Sequence, residues 1–311
     1  MLTQSFSLLA LSVLALSAAE FDIRDEAELR RIVPEGSKVE KIAGGFRFTE
    51  GPVWMDKEGG ILIFSDIPAN QLKQWTAGSG EVATFREPSQ NANGNTLDLD
   101  GRLVTAEHSG RRISLTQAGG DVVTVVDRFD GKKFNSPNDV VVASDGSYWF
   151  TDPDYGLAGK PREIDGNWVY RHDPKTKKTT VLVKDFDKPN GLCLSPDELK
   201  LYVADSGRPR HIRVFDVKKD GTVSNGKVFC EIDKGGPDGI RCDADGRIWS
   251  SAGDGVQIFS PSGKLIGKIL VGEAPANLCF GGKDFKTLYL TARTGLYKIE
   301  TGVAGDRPKK R

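Results

Sequence analysis

Residues 235–249 read GGPDGIRCDADGRIW and show how this chain is built. Asp238 follows a Gly-Pro pair, an alternating apolar run comes next, and Asp245-Gly246 leads into a second apolar run. Asp-Gly between two such runs predicts a β-hairpin. A similar pattern occurs five more times, each time with an acidic or amide residue in the leading position.

These six leading residues recur at intervals of 39 to 52 residues: Glu50, Asn93, Asn138, Asn190, Asp238 and Asn277. A period near 40–50 residues with about four strands per unit is typical of the blade of a β-propeller. No helical pattern separates the strands, which argues against alternating β-α-β units. The sequence therefore predicts an all-β protein, a six-bladed β-propeller over residues 45–300.

The segments that flank the repeats have patterns of their own. Residues 20–44 predict an N-terminal lead with a short helix that opens at Asp25-Glu26-Ala27-Glu28. The run Lys38–Ile42 is expected to pair with the last blade and close the ring, which removes exposed sheet edges. Residues 301–311 form a charged tail.

Residues 1–19 contain no charged side chain. Their apolar run, Leu8–Leu16, is short for a membrane span but fits the core of a signal peptide, and Ser17-Ala18-Ala19 supplies small residues for cleavage. We expect an exported protein, periplasmic or secreted, that is not held in the membrane after cleavage. A single membrane anchor is the alternative.

The composition narrows the class of partner. The 311 residues include 43 basic and 43 acidic side chains, and this balance argues against a nucleic-acid or anionic-membrane partner. The four cysteines lack the spacing of a metal site. In an exported protein, Cys230 and Cys242 are the first pair to examine for a disulfide.

Propeller geometry places the leading residues together. The innermost strand of each blade lines the central channel, and the antiparallel second strand ends at the mouth where the first begins. The six leading residues should therefore converge at one mouth. Around them we expect the residues that end the second strands, including Asp66, Glu107, His108, Asp152, Asp205 and Arg293.

Asn-Gly and Asp-Gly are turn formers, so the leading residues have a structural alternative. Several units, however, carry a separate Asp-Gly further along for the hairpin turn, as at Asp145-Gly146. Two carboxylates and several amides around one axis would repel or stay unsatisfied without a cation. An all-oxygen set favours a hard divalent cation, with calcium ahead of magnesium, manganese or zinc.

Four motifs carry a resemblance to a known family: TEGPVW at 49–54, NSPNDV at 135–140, PNGL at 189–192 and PDGI at 237–240. In this order and spacing the chain resembles the senescence marker protein, gluconolactonase and luciferin-regenerating enzyme family of six-bladed propellers. The segment AEHSGRR at 106–112 is similar to the bacterial gluconolactonase branch.

The resemblance implies a divalent metal bound by Glu50, Asn190 and Asp238, with Asn138 close to the metal or substrate. It also implies that Asp238 is the catalytic acid/base and that lactones are the substrates. Some members place a sugar-binding arginine where this chain has Ser136. The particular lactone therefore stays open.

Lactone hydrolysis needs a polarised carbonyl, an activated water and a stabilised oxyanion, and a bound cation with a nearby carboxylate can supply them. His108 is the second candidate for proton transfer or substrate binding, with a structural role as its alternative. Tyr155, Arg208 and Arg293 are expected to form a rim that holds substrate hydroxyls.

Two other classes stay open on sequence alone. One is a different metal-dependent esterase, or a phosphotriesterase, that uses the same ligands. The other is a non-catalytic binding propeller, which the fold by itself permits.

Overall fold

The computed structural model describes residues 20–307. Within them, six antiparallel sheets follow one another along the chain, and each sheet is one blade of a six-bladed β-propeller. The predicted all-β propeller is confirmed. The predicted signal peptide lies outside the described residues, and export stays a prediction.

The chain begins with three elements outside the regular repeats: β1 (Phe21–Ile23), α1 (Glu26–Ile32) and β2 (Glu40–Gly44). Blade 1 is β3 (Thr49–Met55), β4 (Ile61–Asp66), β5 (Gln71–Thr76) and β6 (Val82–Arg86). Blade 2 is β7 (Ala92–Leu97), β8 (Leu103–Glu107), β9 (Arg112–Thr116) and β10 (Val122–Val126). A small hairpin, β11 (Arg128–Phe129) and β12 (Lys132–Lys133), leads to the next blade.

Blade 3 is β13 (Val140–Val142), β14 (Tyr148–Asp152), β15 (Trp168–Asp173) and β16 (Lys178–Val183), with a 3-10 turn at Tyr155–Leu157. Blade 4 is β17 (Pro189–Leu194), β18 (Lys200–Asp205), β19 (His211–Val217) and β20 (Val223–Glu231). Blade 5 is β21 (Ile240–Cys242), β22 (Ile248–Ala252), β23 (Gly255–Phe259) and β24 (Leu265–Leu270). Blade 6 contains β25 (Pro275–Gly281), β26 (Thr287–Ala292) and β27 (Gly295–Glu300).

The N-terminal strands complete the last two blades. β2 pairs with β27 as the outermost strand of blade 6, so the ring is closed by chain from both ends. β1 pairs with β24 as a fifth strand of blade 5, which the sequence did not predict. Between them, α1 begins after Asp25, whose side chain accepts a hydrogen bond from the backbone N–H of Glu28. Leu29 and Ile32 of this helix pack on the apolar core of blades 5 and 6.

The hydrophobic core lies between neighbouring blades. The innermost strands of blades 1, 4 and 6 are buried along their whole length, because another blade covers each face. All four cysteines are buried free thiols, so the candidate disulfide between Cys230 and Cys242 is not formed. They serve as small apolar side chains in the core. No helix between residues 20 and 307 is long and apolar enough to cross a membrane.

Candidate metal centre at the channel mouth

The leading segments of neighbouring blades contact one another around the mouth of the channel. The N–H of Gly94 donates to the Asn138 carbonyl at 2.8 Å, and that of Gly191 donates to the Asp238 carbonyl at 3.1 Å. Between blades 6 and 1, Nδ2 of Asn277 donates to Oε2 of Glu50 at 2.9 Å. These contacts join segments far apart in the sequence into one ring of polar groups.

The glycine after a leading residue permits this close approach. A Cβ on Gly191 would lie 2.3 Å from the carbonyl oxygen of Asp238. A Cβ on Gly239 would lie 2.1 Å from the side chain of Asn277. Asn190-Gly191 and Asp238-Gly239 are therefore packing sites between blades, and the reading of these pairs as hairpin turns is excluded.

The hydrogen-bonded pairing between the first two strands of a blade is irregular next to the leading residues. In blades 1, 2, 4 and 6 the pairing register of the innermost strand shifts beside the leading residue. In blades 3 and 5 the innermost strand begins two residues after Asn138 and Asp238. A bulge or a late strand start frees a residue from regular pairing and re-aims its side chain.

Glu50 is a buried carboxylate with few partners. The residue is only 3% exposed. Its Oε2 accepts hydrogen bonds from the Gly51 N–H at 2.6 Å and from the side chain of Asn277. Burial raises the pKa of Glu50 to about 7, and the negative charge of Asp139 adds to the rise. The environment thus disfavours the charged form of Glu50.

Asp238 lies beside Glu50, and its pKa is raised for the same reasons. Withdrawal from bulk water raises the pKa of Asp238 well above its usual value, and the charges of Glu50 and Asp139 raise it further. A hydrogen bond with Asn190 works in the opposite direction. Like charges held this close favour either protonation or a cation between them.

Asn190 supplies the observation that points to a cation. The residue is buried, and its Oδ1 accepts no hydrogen bond from any residue that the structure describes. A buried carbonyl oxygen without a partner is costly unless a ligand satisfies it. Glu50, Asp238 and the buried Asn138 are the other oxygen donors predicted at this mouth, and oxygen donors of this kind suit a hard cation.

This set mixes carboxylates with amides. No cluster of three His, Cys, Asp or Glu side chains placed to hold a metal occurs within residues 20–307. A cation at this mouth would therefore depend on the two asparagine side chains as well as on Glu50 and Asp238.

The channel also contains two charged residues, Asp139 and Arg241, that the sequence analysis did not single out as site residues. Asp139 is 1% exposed, and its Oδ2 accepts a hydrogen bond from Nη1 of Arg241 at 3.1 Å. Arg241 occupies the middle of β21, between the buried side chains of Ile240 and Cys242. A charged residue inside an apolar innermost strand was the signal available in the sequence.

His108 is buried next to the ring of leading residues. Its Nε2 lies 3.1 Å from Nδ2 of Asn93, and with that amide as donor Nε2 accepts and the proton is on Nδ1. Burial lowers the pKa of His108 to about 4, so the ring is neutral near pH 7. Gly156 packs directly against the imidazole.

The loop that contains Gly156 also brings Tyr155 to the mouth. Ser136 holds this loop, since its Oγ donates to the Pro153 carbonyl at 2.6 Å and accepts from the Gly156 N–H at 2.9 Å. Burial raises the pKa of Tyr155 to about 12, and the negative charge of Asp238 adds to this rise. Hydrogen bonds with Ser206 and Asn190 act in the opposite direction. The Tyr155 hydroxyl therefore lies beside the proposed ligands.

The two rim arginines lie differently. The Arg208 side chain is 95% exposed and pairs with Asp187. Arg293 is exposed, and within residues 20–307 its side chain makes no hydrogen bond or ion pair. Its backbone carbonyl accepts from the Thr49 N–H at 2.7 Å, just before Glu50. Contact of either arginine with a substrate stays a prediction.

The acidic residues that end the second strands hold the backbone. Asp66, Asp152 and Asp205 each accept hydrogen bonds from two successive backbone N–H groups in the loop before the innermost strand of their own blade. Glu107 binds Arg86, Arg112 and Ser114 instead. These carboxylates position the loops and strands around the mouth.

Comparisons with known proteins agree with the six-bladed fold. The sequence profile of the SMP-30/Gluconolactonase/LRE-like region matches residues 48–294. The gluconolactonase of Zymomonas mobilis is 34% identical in an alignment of 310 positions, gaps included, that covers 89% of this chain and 85% of that protein. The solved structure of a gluconolactonase from Xanthomonas campestris superposes with a TM-score of 0.85 at 31% identity, covering 91% of this chain and 95% of that one. A calcium-binding regucalcin from Agrobacterium tumefaciens shares the fold, with a TM-score of 0.72 at 21% identity, covering 89% of this chain and 97% of that one.

Proposed function

The chain belongs to the SMP-30/Gluconolactonase/LRE-like family, and from this premise we propose that it is a metal-dependent hydrolase that opens sugar lactones. The observation that carries the proposal is the unpartnered Oδ1 of Asn190 beside two carboxylates with raised pKa values. A scaffold that only binds a partner has no need for such a costly group.

Glu50, Asn190 and Asp238 would hold one divalent cation, with Asn138 as a further ligand or a substrate contact. All four side chains offer oxygen, so calcium is the first choice, ahead of magnesium, manganese and zinc. A cation held there would supply Lewis acidity to a lactone carbonyl and to a water.

The residues of the chain supply the proton transfers and the orientation. Asp238 is partly exposed at the mouth. With a cation beside it, its carboxylate would stay ionised and would accept the proton of the attacking water as general base. Tyr155, next to Asn190 and Asp238, donates a hydrogen bond to the substrate. His108 stays neutral near pH 7, so it can exchange a proton with, or bind, a sugar hydroxyl.

A substrate panel on metal-free protein tests the proposal. The panel contains gluconolactone, other sugar lactones, an aryl ester and a phosphotriester, each measured with chelator and after return of each divalent cation. We expect lactone hydrolysis that chelation abolishes and that calcium restores. Activity on the phosphotriester alone would replace the proposed substrate class, and full lactonase activity in metal-free protein would overturn the metal dependence.

A further inference from the structure

Arg241 is the basic residue that reaches into the ring of carboxylates. Its Nη1 bonds both Oδ2 of Asp139 at 3.1 Å and the carbonyl of Ile240 at 2.7 Å. The pair links blade 5 to blade 3 across the channel, and the Arg241 side chain is only 16% exposed. The guanidinium is therefore fixed in place, and it stays charged at any physiological pH.

The positive charge of Arg241 acts on Glu50, one of the proposed metal ligands. It opposes the rise in the pKa of Glu50, whereas Asp139 promotes that rise. Asp139 likewise acts on Asp238. When Glu50, Asp139 and Asp238 are all ionised, the three carboxylates and Arg241 together have a formal charge of −2.

The acidic residues on the other side of Arg241 have partners of their own and do not change this formal charge. The far end of the channel is a cavity of about 270 Å³, lined by Cys193, Cys279, Asp56 and Asp98 among others. Of these, Asp56 pairs with Arg307 and Asp98 pairs with Arg102. The two other acidic lining residues, Glu198 and Asp306, also have partners, and Glu198 accepts hydrogen bonds from the backbone N–H and Oγ of Ser144.

We infer that Arg241 sets the charge of the metal site at −2 and so makes the site selective for divalent over trivalent cations. The inference rests on the proposed function, because it assumes that the cation lies between Glu50, Asn190 and Asp238. Without Arg241 the three carboxylates would match a trivalent ion better. Calcium and terbium(III), two oxygen-seeking ions of similar size, differ chiefly in charge and are the appropriate probes.

The experiment measures the ratio of calcium to terbium(III) dissociation constants on one preparation of each variant at pH 7.5. A ratio within one variant cancels any loss of folded protein. In R241Q we expect the ratio to move toward terbium(III) by about tenfold, because the loss of one positive charge near the site favours the ion of higher charge. D139N should move it in the opposite direction, and the double variant R241Q/D139N should return it close to the wild-type value.

Arg247→Gln is the matched control. Arg247 is a buried arginine of the same blade, 3% exposed in its side chain, and pairs with Asp243 at 3.0 Å outside the channel. Its loss should lower stability and leave the ratio unchanged, while R241K, which keeps the charge, should also keep the ratio. If R241Q binds both ions with the wild-type ratio, Arg241 is only a structural residue and the metal site stands. If the wild-type protein binds neither ion, the proposed metal site and this inference both fail.

Discussion

Glu50 and Glu273 are both acidic residues beside the closure of the ring, but their surroundings are opposite. Glu273 accepts hydrogen bonds from Lys41 at 2.7 Å, from the Tyr297 hydroxyl at 2.7 Å and from Thr294. Although burial opposes it, these bonds lower the pKa of Glu273 to about 2. Burial instead raises the pKa of Glu50 to about 7.

The difference separates stability from function in one fold. Glu273 ties Lys41 of the closing strand β2 to Thr294 and Tyr297 of blade 6, and its charge is fully compensated. Glu50 and Asp238 at the channel mouth make no ion pair with any residue between 20 and 307, and the negative charge of neighbouring carboxylates raises the pKa of each. Perturbed pKa values of this kind cluster at functional sites, where stability is given up for ligand binding or catalysis.

The largest effect is expected at the mouth, from Asp238→Asn. The change is nearly isosteric and keeps one oxygen, but it removes the general base, which typically costs about 10²–10⁴ in rate. Turnover on the best lactone should fall by this factor at saturating metal.

Asp243→Asn is the matched control for that experiment. Asp243 lies in the same blade, is buried, and accepts hydrogen bonds from Arg247 and Trp249 away from the mouth. Asp243→Asn should lower the melting temperature and leave the turnover of folded protein unchanged. Near-native turnover of Asp238→Asn would show that Asp238 is a ligand or packing residue, without a role as base.

A smaller effect on turnover is expected from His108→Ala. The imidazole borders Asn93 and lies outside the proposed ligands, so metal content should not change. We expect turnover to fall toward the lower end of the roughly 10²–10⁴-fold range of proton-transfer groups. His172→Ala removes the other buried histidine, which bonds Thr179 in blade 3, and should leave kinetics unaltered. Equal kinetics for both variants would assign His108 a structural role.

The smallest effects are expected in the pH dependence of stability of the metal-free protein. The pKa of Glu50 is about 7 when folded against an ordinary 4.5, so its ionisation destabilises the fold as pH rises from 4.5 through 7. The pKa of Glu273 is lowered to about 2, so its contribution is present above pH 4.5 and is lost as pH falls toward 2.

Glutamine variants separate the contributions of Glu50 and Glu273 to the pH dependence of stability. Glu273→Gln should lower the free energy of unfolding at pH 7 by about 1–3 kcal/mol, because charged hydrogen bonds are lost. Glu50→Gln should leave it unchanged or raise it, and should flatten the loss of stability above pH 4.5. Urea unfolding between pH 3 and 9 measures both. A loss of stability in Glu50→Gln equal to that in Glu273→Gln would remove the contrast between the two regions.

The sequence alone determined the repeat, the number of blades and the residues that lead each innermost strand. These features follow from local rules, since strand alternation and turn chemistry act over a few residues and recur with every blade. Once a ring is assumed, propeller geometry brings Glu50, Asn138, Asn190 and Asp238 to one mouth. The helix opening after Asp25 is a local signal of the same kind.

Only the tertiary structure decided which partner each charged side chain has. Asp139 and Arg241 are 102 residues apart and meet because blades 3 and 5 face the same channel. Ser136 holds the loop of Tyr155, and β1 adds a strand to blade 5, through contacts that no local pattern encodes. The pKa of a buried carboxylate depends on burial and on neighbouring charges, both set by residues distant in sequence. For this reason Glu50 and Glu273 look alike in the sequence and differ in the folded protein.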